Sequence, residues 1–416
     1  MQSVRSSEER SNFQRFGAER GFRQRLRRIT TSTSYIAEID GLRFVAIVAV
    51  IFYHLPIALR YAPLPAIATP WFLSGQLGVQ LFFIVSGAVL ALPFAREALQ
   101  NGKKVSVRRY FLRRLTRIEP PYLVCLLVMY GLRQIFARGW ISLTHLSAGM
   151  LYLHNLVFGY PNPIDPVMWT LEIEIQFYVL LPLLTSIFSI SLPWRRICLI
   201  CCIVLSLAGN ASADSLLHGR AYLLQWTILG YLHYFLFGFL FADLYVSRSL
   251  KLVGHLWDWV ALLAFPIIVY GHKNPYSALG ETTSACGLAA IFSAAFLGRW
   301  TRAFLRLEPV AIIGGMCYSI YLVHIFIIQS FGVYVGHHAR LERGGAFDYL
   351  LAAAVIFPVV LVICTVFFVF IERPCMDPQW PRKLLDALRR GMSRAPELTE
   401  RRDTGADAQI ENEGAA

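Results

Sequence analysis

About ten apolar segments of roughly 17 to 25 residues, separated by short polar connections, are the feature that most constrains this chain. Their centres lie near Val48, Ile84, Leu127, Val179, Val204, Phe235, Leu262, Ala290, Tyr321 and Val360. Each segment is long enough to cross a bilayer as a helix. With 56% hydrophobic and 16% charged residues, the chain is too apolar for a soluble protein of 416 residues. The sequence therefore predicts an all-α, polytopic membrane protein with about ten transmembrane helices.

Basic residues are distributed unequally between alternate connections. The side that holds the N-terminal tail carries about 31 Lys and Arg, and the opposite side about 6. Both termini are therefore expected to be cytoplasmic. A net charge of +13 would suggest nucleic acid in a soluble protein, but here it lies in tails and membrane-edge connections. We expect the bilayer as partner, and no nucleic acid.

Composition divides the chain into three parts. Residues 1–35 form a basic polar tail that is expected to be disordered or to lie on anionic headgroups, residues 36–374 the membrane domain, and residues 375–416 a second polar cytoplasmic tail. Almost all of the 8 cysteines fall inside apolar runs, which is typical of small buried hydrophobic residues. No ligand spacing indicates a metal site, and none is predicted.

The first apolar segment carries two ionisable residues, Arg43 and His54. Their spacing of eleven positions brings them within about 20° of each other around a helix and about 16 Å apart along its axis. Ionisable residues inside a membrane are costly and often functional, so the pair indicates a functional face. The alternative is that Arg43 anchors the helix at the membrane edge and His54 is a packing residue.

Two further motifs allow both a structural and a functional interpretation. Ser86 lies mid-segment beside a glycine, and close helix packing is favoured there over a nucleophilic serine. Arg114 and Arg117 share one face of a helix that Pro120 is expected to interrupt. The arginines have the geometry to clamp phosphate or carboxylate, but they also fit a solvated cluster at the membrane edge.

The fourth apolar segment contains two carboxylates, Glu172 and Glu174. They are about 200° apart around a helix, so they cannot share a face. Four-residue spacing predicts that Glu174 pairs with Tyr178 and Glu172 with Gln176. Because an unpaired carboxylate in a membrane is costly, at least one of them is expected to face the same interior as His54.

The residues alone do not assign a role to two other regions. The longest connection on the predicted outer side, from Arg138 to about Asp165, could be a re-entrant lid or an acceptor site. In the ninth segment Tyr321 and His324 are three positions apart. A single histidine in such a place more often packs or hydrogen-bonds than reacts.

Taken in order, these motifs resemble one family, the bacterial acyltransferase-3 integral membrane proteins, which O-acylate cell-surface sugars and some secreted small molecules. The resemblance runs through the whole membrane region. It is carried by residues 40–43 with His54 at Arg-x10-His spacing, and by residues 78–87, 114–120, 169–178, 318–324 and 371–374.

The resemblance implies an acyl-CoA donor, usually acetyl-CoA taken from the cytoplasm, and an acceptor hydroxyl met within or beyond the membrane. Carried over by position, it marks as functional Arg43, His54, Arg114, Arg117 and Glu174. Further candidate site residues are Ser86, Tyr122, Tyr178, Tyr321 and His324. Some relatives append an external domain, whereas about forty residues follow Arg373 here. Delivery of a saccharide acceptor is therefore expected to rest on the membrane domain or on an external partner protein.

Moving an acyl group from a thioester to a hydroxyl needs a base and a source of positive charge. We expect His54 to be the base, oriented by Glu174, and the three arginines Arg43, Arg114 and Arg117 to supply the charge. A transient acyl-His54 is an alternative route. A transporter of a sugar or lipid-linked intermediate is the competing function class. A purely structural membrane partner is a third, which leaves the Arg43 and His54 face unexplained.

Overall fold

A computed structural model describes residues 24–29, 35–58, 68–100, 104–136, 140–213, 221–250, 253–273, 277–338, 346–377 and 379–383, with 385, 386 and 389. Every regular element in these ranges is helical, which confirms the all-α prediction. The main helices are α1 (Ala37–Ala58), α2 (Thr69–Leu73), α3 (Gly78–Gln100), α4 (Val107–Phe136), α5 (Leu143–Met150), α6 (His154–Phe158), α7 (Trp169–Thr185), α8 (Leu192–Ala211), α9 (Leu232–Val246), α10 (Leu256–His272), α11 (Ala278–Leu297), α12 (Trp300–Leu305), α13 (Glu308–Gly315), α14 (Cys317–His338), α15 (Ala346–Phe367) and α16 (Arg373–Cys375). Short 3-10 turns (Ser74–Leu77, Pro166–Met168, Ser186–Ser189, Ala221–Trp226 and Ile228–Gly230) and one π-helical turn (Phe368–Glu372) connect or extend them.

Within the described ranges, 6 helical segments are long and apolar enough to cross a membrane. They are Ala37–Pro56, Thr69–Gln100, Pro166–Ser189, Leu192–Ala211, Ala278–Leu297 and Tyr349–Cys375. A seventh arises if α13 and the first part of α14, which meet at 72°, form one broken span. All the predicted segment centres lie within helices, so the chain is a multi-pass membrane protein. The count of ten crossings and the cytoplasmic placement of the termini remain predictions.

Helix α4 runs without interruption through Pro120 and Pro121, so the predicted break at this point is wrong. Proline has no N–H, and Pro120 therefore leaves the carbonyl of Thr116 without its helical donor. The indole Nε1 of Trp380 donates to that carbonyl at 3.0 Å. A side chain from the C-terminal segment thus supplies the hydrogen bond that the proline removes, and the arginine-rich half of α4 continues into its apolar half as one helix.

Helices α3 and α9 pack with their backbones in contact. A Cβ atom added at Gly87 would overlap the backbone of Phe235, and one added at Gly238 would overlap the backbone between Ile84 and Ala88. Close approach of this kind requires glycine on both helices, because any side chain would push them apart. The small-residue interpretation of this motif is therefore confirmed for Gly87, and the close contact sets the depth at which Ser86 lies.

The connection from α4 to α7 folds into two short helices, α5 and α6. The ring nitrogen Nδ1 of His145 lies 2.9 Å from Nε2 of His154, and His154 is fully buried. Trp140 is 91% exposed at the start of the connection. Residues 137–139 lie outside the described part of the chain. The connection is thus folded and partly buried, with an exposed tryptophan at its start.

Part of the predicted N-terminal tail contacts the membrane domain. Arg28 forms an ion pair with Asp40 of α1 (Nε to Oδ2, 3.1 Å), and the Arg373 guanidinium donates to the carbonyls of Gln24 and Arg27, both at 3.3 Å. The rest of that tail, residues 1–23 and 30–34, and residues 390–416 of the second tail lie outside the described residues. The tail therefore brings at least one arginine, Arg28, into the membrane domain.

Candidate active site

Helix α1 places Arg43 in the lining of a large cavity. Asp40, one turn earlier and 1% exposed, accepts from the Arg43 guanidinium at 2.8 Å and holds Arg28 through its other oxygen. One buried carboxylate thus orients two arginines from different segments, because each of its oxygens takes one guanidinium. Both arginines line the cavity.

The cavity has a volume of about 790 Å³ and opens between α1, α3, α4, α7 and α14. Six of the residues singled out in the sequence line it: Arg43, Ser86, Arg114, Arg117, Glu174 and Tyr321. They come from five helices that are distant in the chain, so the fold confirms that these motifs belong to one place. Of the other singled-out residues, His54, Tyr122, Tyr178 and His324 lie outside the lining in the described part of the chain.

The cavity is strongly positive. Its described lining contains eight basic side chains and two acidic ones, Glu174 and Glu372. The basic residues are Arg28, Arg43, Arg96, Lys104, Arg109, Arg113, Arg114 and Arg117. A concave surface lined by one sign of charge concentrates ligands of the opposite sign, so this cavity suits a polyanion.

At the inner part of the cavity a polar cluster is built on Glu174 of α7. Its Oε1 accepts from the Tyr178 hydroxyl at 2.6 Å and from the Ser86 hydroxyl at 3.1 Å. The Arg114 guanidinium lies over the rings of Tyr110 and Tyr178, at 5.5 and 6.0 Å from the centroids, and donates to the Tyr110 hydroxyl at 3.2 Å. The predicted pairing of Glu174 with Tyr178 is confirmed. Ser86 here anchors to a carboxylate, which agrees with a packing role.

Arg117 lies one turn after Arg114 and is loosely partnered. Its Nη2 is 3.9 Å from Oε1 of Glu372, whose other oxygen accepts from both the backbone N–H and the hydroxyl of Ser319. With 35% of its side chain exposed, Arg117 keeps donor positions for a ligand in the cavity. The two arginines therefore line the same space, which agrees with the predicted shared helix face.

His54 has a different partner from the one predicted. Its Nδ1 lies 2.9 Å from the Val50 carbonyl and 3.3 Å from Nε2 of His324 on α14. Glu174 is engaged with Ser86 and Tyr178, and no contact joins it to His54 among the described residues. The expectation that Glu174 orients His54 is therefore wrong: Glu174 takes hydroxyl donors from α3 and α7, whereas His54 takes a ring nitrogen from α14.

Tyr321 connects the cavity to the two histidines. Its ring lies 5.7 Å from the ring of His324 and lines the cavity, and its hydroxyl donates to the Val167 carbonyl at 2.9 Å and accepts from Thr170 at 2.8 Å. Because the hydroxyl is held by Val167 of the preceding 3-10 turn and by Thr170 of α7, the ring has a fixed position beside the cavity. Tyr321 thus connects the cavity lining to His324, which in turn contacts His54.

Two other predicted contacts have different outcomes. Glu172 accepts from the backbone N–H of Asn155 at 2.9 Å, while Gln176 bonds to backbone groups of Trp226 and Ile228, so the predicted pairing of Glu172 with Gln176 is wrong. Glu172 thus fastens α6 to α7, and Gln176 fastens two 3-10 turns to α7. Tyr122 is fully buried and donates to the Gly149 carbonyl at 2.7 Å, which fastens α5 to α4.

Sequence inspection missed Arg28 and Glu372 as cavity residues. Arg28 belongs to a run of tail arginines that gives no sign of which one turns inward. Burial and the nearby charge of Arg43 lower the pKa of Arg28 to about 10, although Asp40 opposes this change. The guanidinium remains charged at neutral pH and would gain from an anionic ligand. Glu372 did stand in a recognised motif, residues 371–374, but without a role.

Comparison with known proteins agrees with this geometry. A family model for the acyltransferase-3 acyltransferase domain matches residues 36–369. The chain is 26% identical to the O-acetyltransferase OatA of Staphylococcus aureus (strain NCTC 8325 / PS 47) over 321 residues, 71% of this chain and 51% of that protein. It is 28% identical to the peptidoglycan O-acetyltransferase OatA of Listeria monocytogenes serovar 1/2a over 178 residues, 40% of this chain and 26% of that protein. The chain thus spans about half the length, or less, of these relatives. No solved structure matches it.

The matched region contains α1 to α15 and all but a few of the cavity residues. It also contains both histidines and the cluster around Glu174. Because the family model covers most of the chain and the residues that build the site, the protein belongs to the acyltransferase-3 family of membrane acyltransferases.

Proposed function

We propose that the protein is a membrane O-acyltransferase that moves an acyl group, in the first instance acetyl, from acyl-CoA to a hydroxyl of a cell-surface saccharide or related glycoconjugate in the cell inner membrane. The observation that carries this proposal is the cavity with eight basic and two acidic side chains, joined through Tyr321 to a pair of histidines. Family membership favours this function over the transporter alternative.

Acyl-CoA matches the cavity in charge and shape. It combines phosphate groups, which suit arginine forks, with a long uncharged arm that suits the apolar wall of α3. Arg109 and Arg113 of the lining are exposed, whereas Tyr321 is buried and contacts His324. We assign the phosphates to the arginines and the thioester to the part of the cavity at Tyr321.

The reaction then requires a proton to leave the acceptor hydroxyl. As the acceptor oxygen forms its bond to the acyl carbon, the carbon–sulfur bond of the thioester breaks, and His54 takes the hydroxyl proton and returns it to the departing thiolate. Arg114 of α4 or Arg43 of α1 supplies positive charge for the oxyanion. No metal is assigned a part in this step.

The acceptor class is proposed from the relatives. Two of them carry the name O-acetyltransferase, and one is named for peptidoglycan. An external partner protein is proposed to deliver the acceptor. The connection that holds Trp140 and His145 lies on the predicted outer side and is the surface assigned to that delivery.

Donor binding is expected to weaken by about tenfold or more when Arg114 or Arg117 is replaced by lysine, because lysine lacks the planar fork that makes two charge-assisted hydrogen bonds. The measurement is titration of purified Arg114→Lys and Arg117→Lys proteins with labelled acetyl-CoA. Arg306→Lys is the matched control, since Arg306 is 56% exposed and outside the cavity. Equal affinity in all four proteins, parent included, would remove the donor assignment.

The acceptor assignment predicts that a deletion strain loses O-acetyl esters from one surface saccharide. Mass spectrometry of purified surface polysaccharides and peptidoglycan from parent, deletion and complemented strains measures this. Complementation with the Arg306→Lys gene should restore the esters. An unchanged ester content in every saccharide fraction of the deletion strain would contradict a cell-surface saccharide as acceptor.

A further inference from the structure

The geometry of the contact between His54 and His324 indicates which ring nitrogens carry protons. Their ring centroids are 5.1 Å apart at an interplanar angle of 65°, so the two rings meet edge to face. His324 is completely buried, whereas His54 is half-buried. The hydrogen-bond partners of the rings determine where their protons lie, because a carbonyl oxygen can only accept.

The proton on His324 is determined by its own helix. Its Nδ1 lies 3.1 Å from the Ile320 carbonyl and 2.8 Å from the Tyr321 carbonyl. Two acceptors around one nitrogen require that Nδ1 carries the proton. In the neutral ring Nε2 is then a lone-pair acceptor, and this is the atom that faces His54 at 3.3 Å.

The proton on His54 follows from that of His324. Its Nδ1 lies between two acceptors, the Val50 carbonyl at 2.9 Å and Nε2 of His324. Only a proton on Nδ1 of His54 can be donated to these two acceptors. In the other tautomer, lone pairs on Nδ1 of His54, on the Val50 carbonyl and on Nε2 of His324 would face one another. Nε2 of His54 is therefore left as the bare nitrogen, and no described residue occupies it.

We propose that His324 is a positioning residue for the acyl transfer: it fixes His54 in the tautomer with the proton on Nδ1 and presents Nε2 as the base. This inference rests on the proposed function. Val50 alone cannot do this as well, because a carbonyl of the same helix leaves the ring free to rotate away, whereas an acceptor on α14 fixes the ring plane from a second element. When Nε2 of His54 takes the proton from the hydroxyl of the acyl acceptor, the hydrogen bond from Nδ1–H of His54 to His324 becomes charge-assisted and stronger.

The burial of His324 agrees with this role. Its Nδ1 bonds to the backbone, its Nε2 is covered by His54, and its ring packs beside that of Tyr321. Neither nitrogen is available to substrate. His324 therefore acts through His54, and replacing it should change the rate constant of the chemical step but leave the binding of the donor intact.

The test compares His324→Phe with His324→Gln. Phenylalanine fills a similar volume but offers no acceptor, and kcat should fall by about ten- to a hundredfold, as when partners that orient histidine ligands are removed, while KM for acetyl-CoA stays unchanged. Glutamine places a carbonyl oxygen near the position of Nε2 and should recover most of the loss. Equal kcat values in the two variants would overturn the proposal, since a purely structural role does not distinguish them.

A second measurement keeps the proposal testable if His324→Phe does not fold. The ¹⁵N chemical shifts of the imidazole nitrogens in histidine-labelled parent protein distinguish the two tautomers, with the His54 signals assigned by their absence in His54→Gln. Protonated Nδ1 and bare Nε2 on His54 are expected. A proton on Nε2 in the parent protein would overturn the proposal whatever the variants show.

The two proposals fail in different ways. If His54→Gln is fully active, the catalytic assignment of His54 in the proposed function fails, and the role of His324 fails with it. If His54→Gln is inactive but His324→Phe has normal kcat and KM, the proposed function stands and only the inference about His324 is wrong.

Discussion

Replacing His54 by alanine is expected to lower the rate of acyl transfer by about 10² to 10⁴, the usual contribution of a general base. The imidazole would be removed from the end of the α1 face that also carries Arg43, while the cationic cavity would remain. His54→Gln keeps polarity and approximate size but cannot take a proton near neutral pH, so it should be nearly as inactive. The measurement is transfer of labelled acetyl from acetyl-CoA, or of longer acyl groups if acetyl fails, by purified proteins matched for monodispersity and donor binding.

His255→Gln is the control for this experiment. His255 is 44% exposed and pairs with Asp258 on α10, away from the cavity lining, so the same change of side chain there should leave turnover unaltered. If His54 only packs, glutamine should preserve activity, and any cost of alanine should appear as a lower melting temperature. Normal turnover in His54→Gln would end the catalytic assignment.

Replacing Asp243 by alanine is expected to lower the free energy of unfolding by about 3 to 5 kcal/mol, the cost of leaving a buried charge without its partner. Asp243 on α9 is completely buried and accepts from Arg195 at 2.6 Å and from Arg196 at 2.7 Å, both at the start of α8. The Arg195 side chain is only 3% exposed. Its guanidinium cannot turn to water when the carboxylate is lost, so α8 should detach from α9.

The matched control is Asp377→Ala. Asp377 and Lys383 are also 2.6 Å apart, but the lysine is 66% exposed and the aspartate 30%. Water replaces the lost partner there, and no measurable change is expected. Thermal unfolding of both variants is measured in the same detergent, followed by size-exclusion chromatography. Because both ion pairs have the same length, the comparison isolates the effect of their burial. Similar melting temperatures for the two would show that the α8–α9 ion pair is not important for stability.

Much of the candidate site was predictable, because its residues occur in short motifs. Arg114 and Arg117 line the same cavity because helical spacing alone places them on one face. The pairing of Glu174 with Tyr178 is equally local, four residues apart on α7. By contrast, Pro120 was predicted to end a helix, and it does not, because Trp380 from a distant segment donates to the carbonyl that the proline leaves free.

The helical class, the membrane setting and the side chains that share a helix face follow from the sequence, since hydrophobic length and the 3.6-residue period are local properties of a chain. The partner that each polar group takes follows from the packing of the helices instead. Glu174 bonds to Ser86 while His54 meets His324, 270 positions away, and Arg28 leaves its tail to join Asp40. Such pairs depend on the rotation and depth of one helix against another, and glycine contacts such as that between Gly87 and α9 set both. No spacing within one helix encodes those quantities.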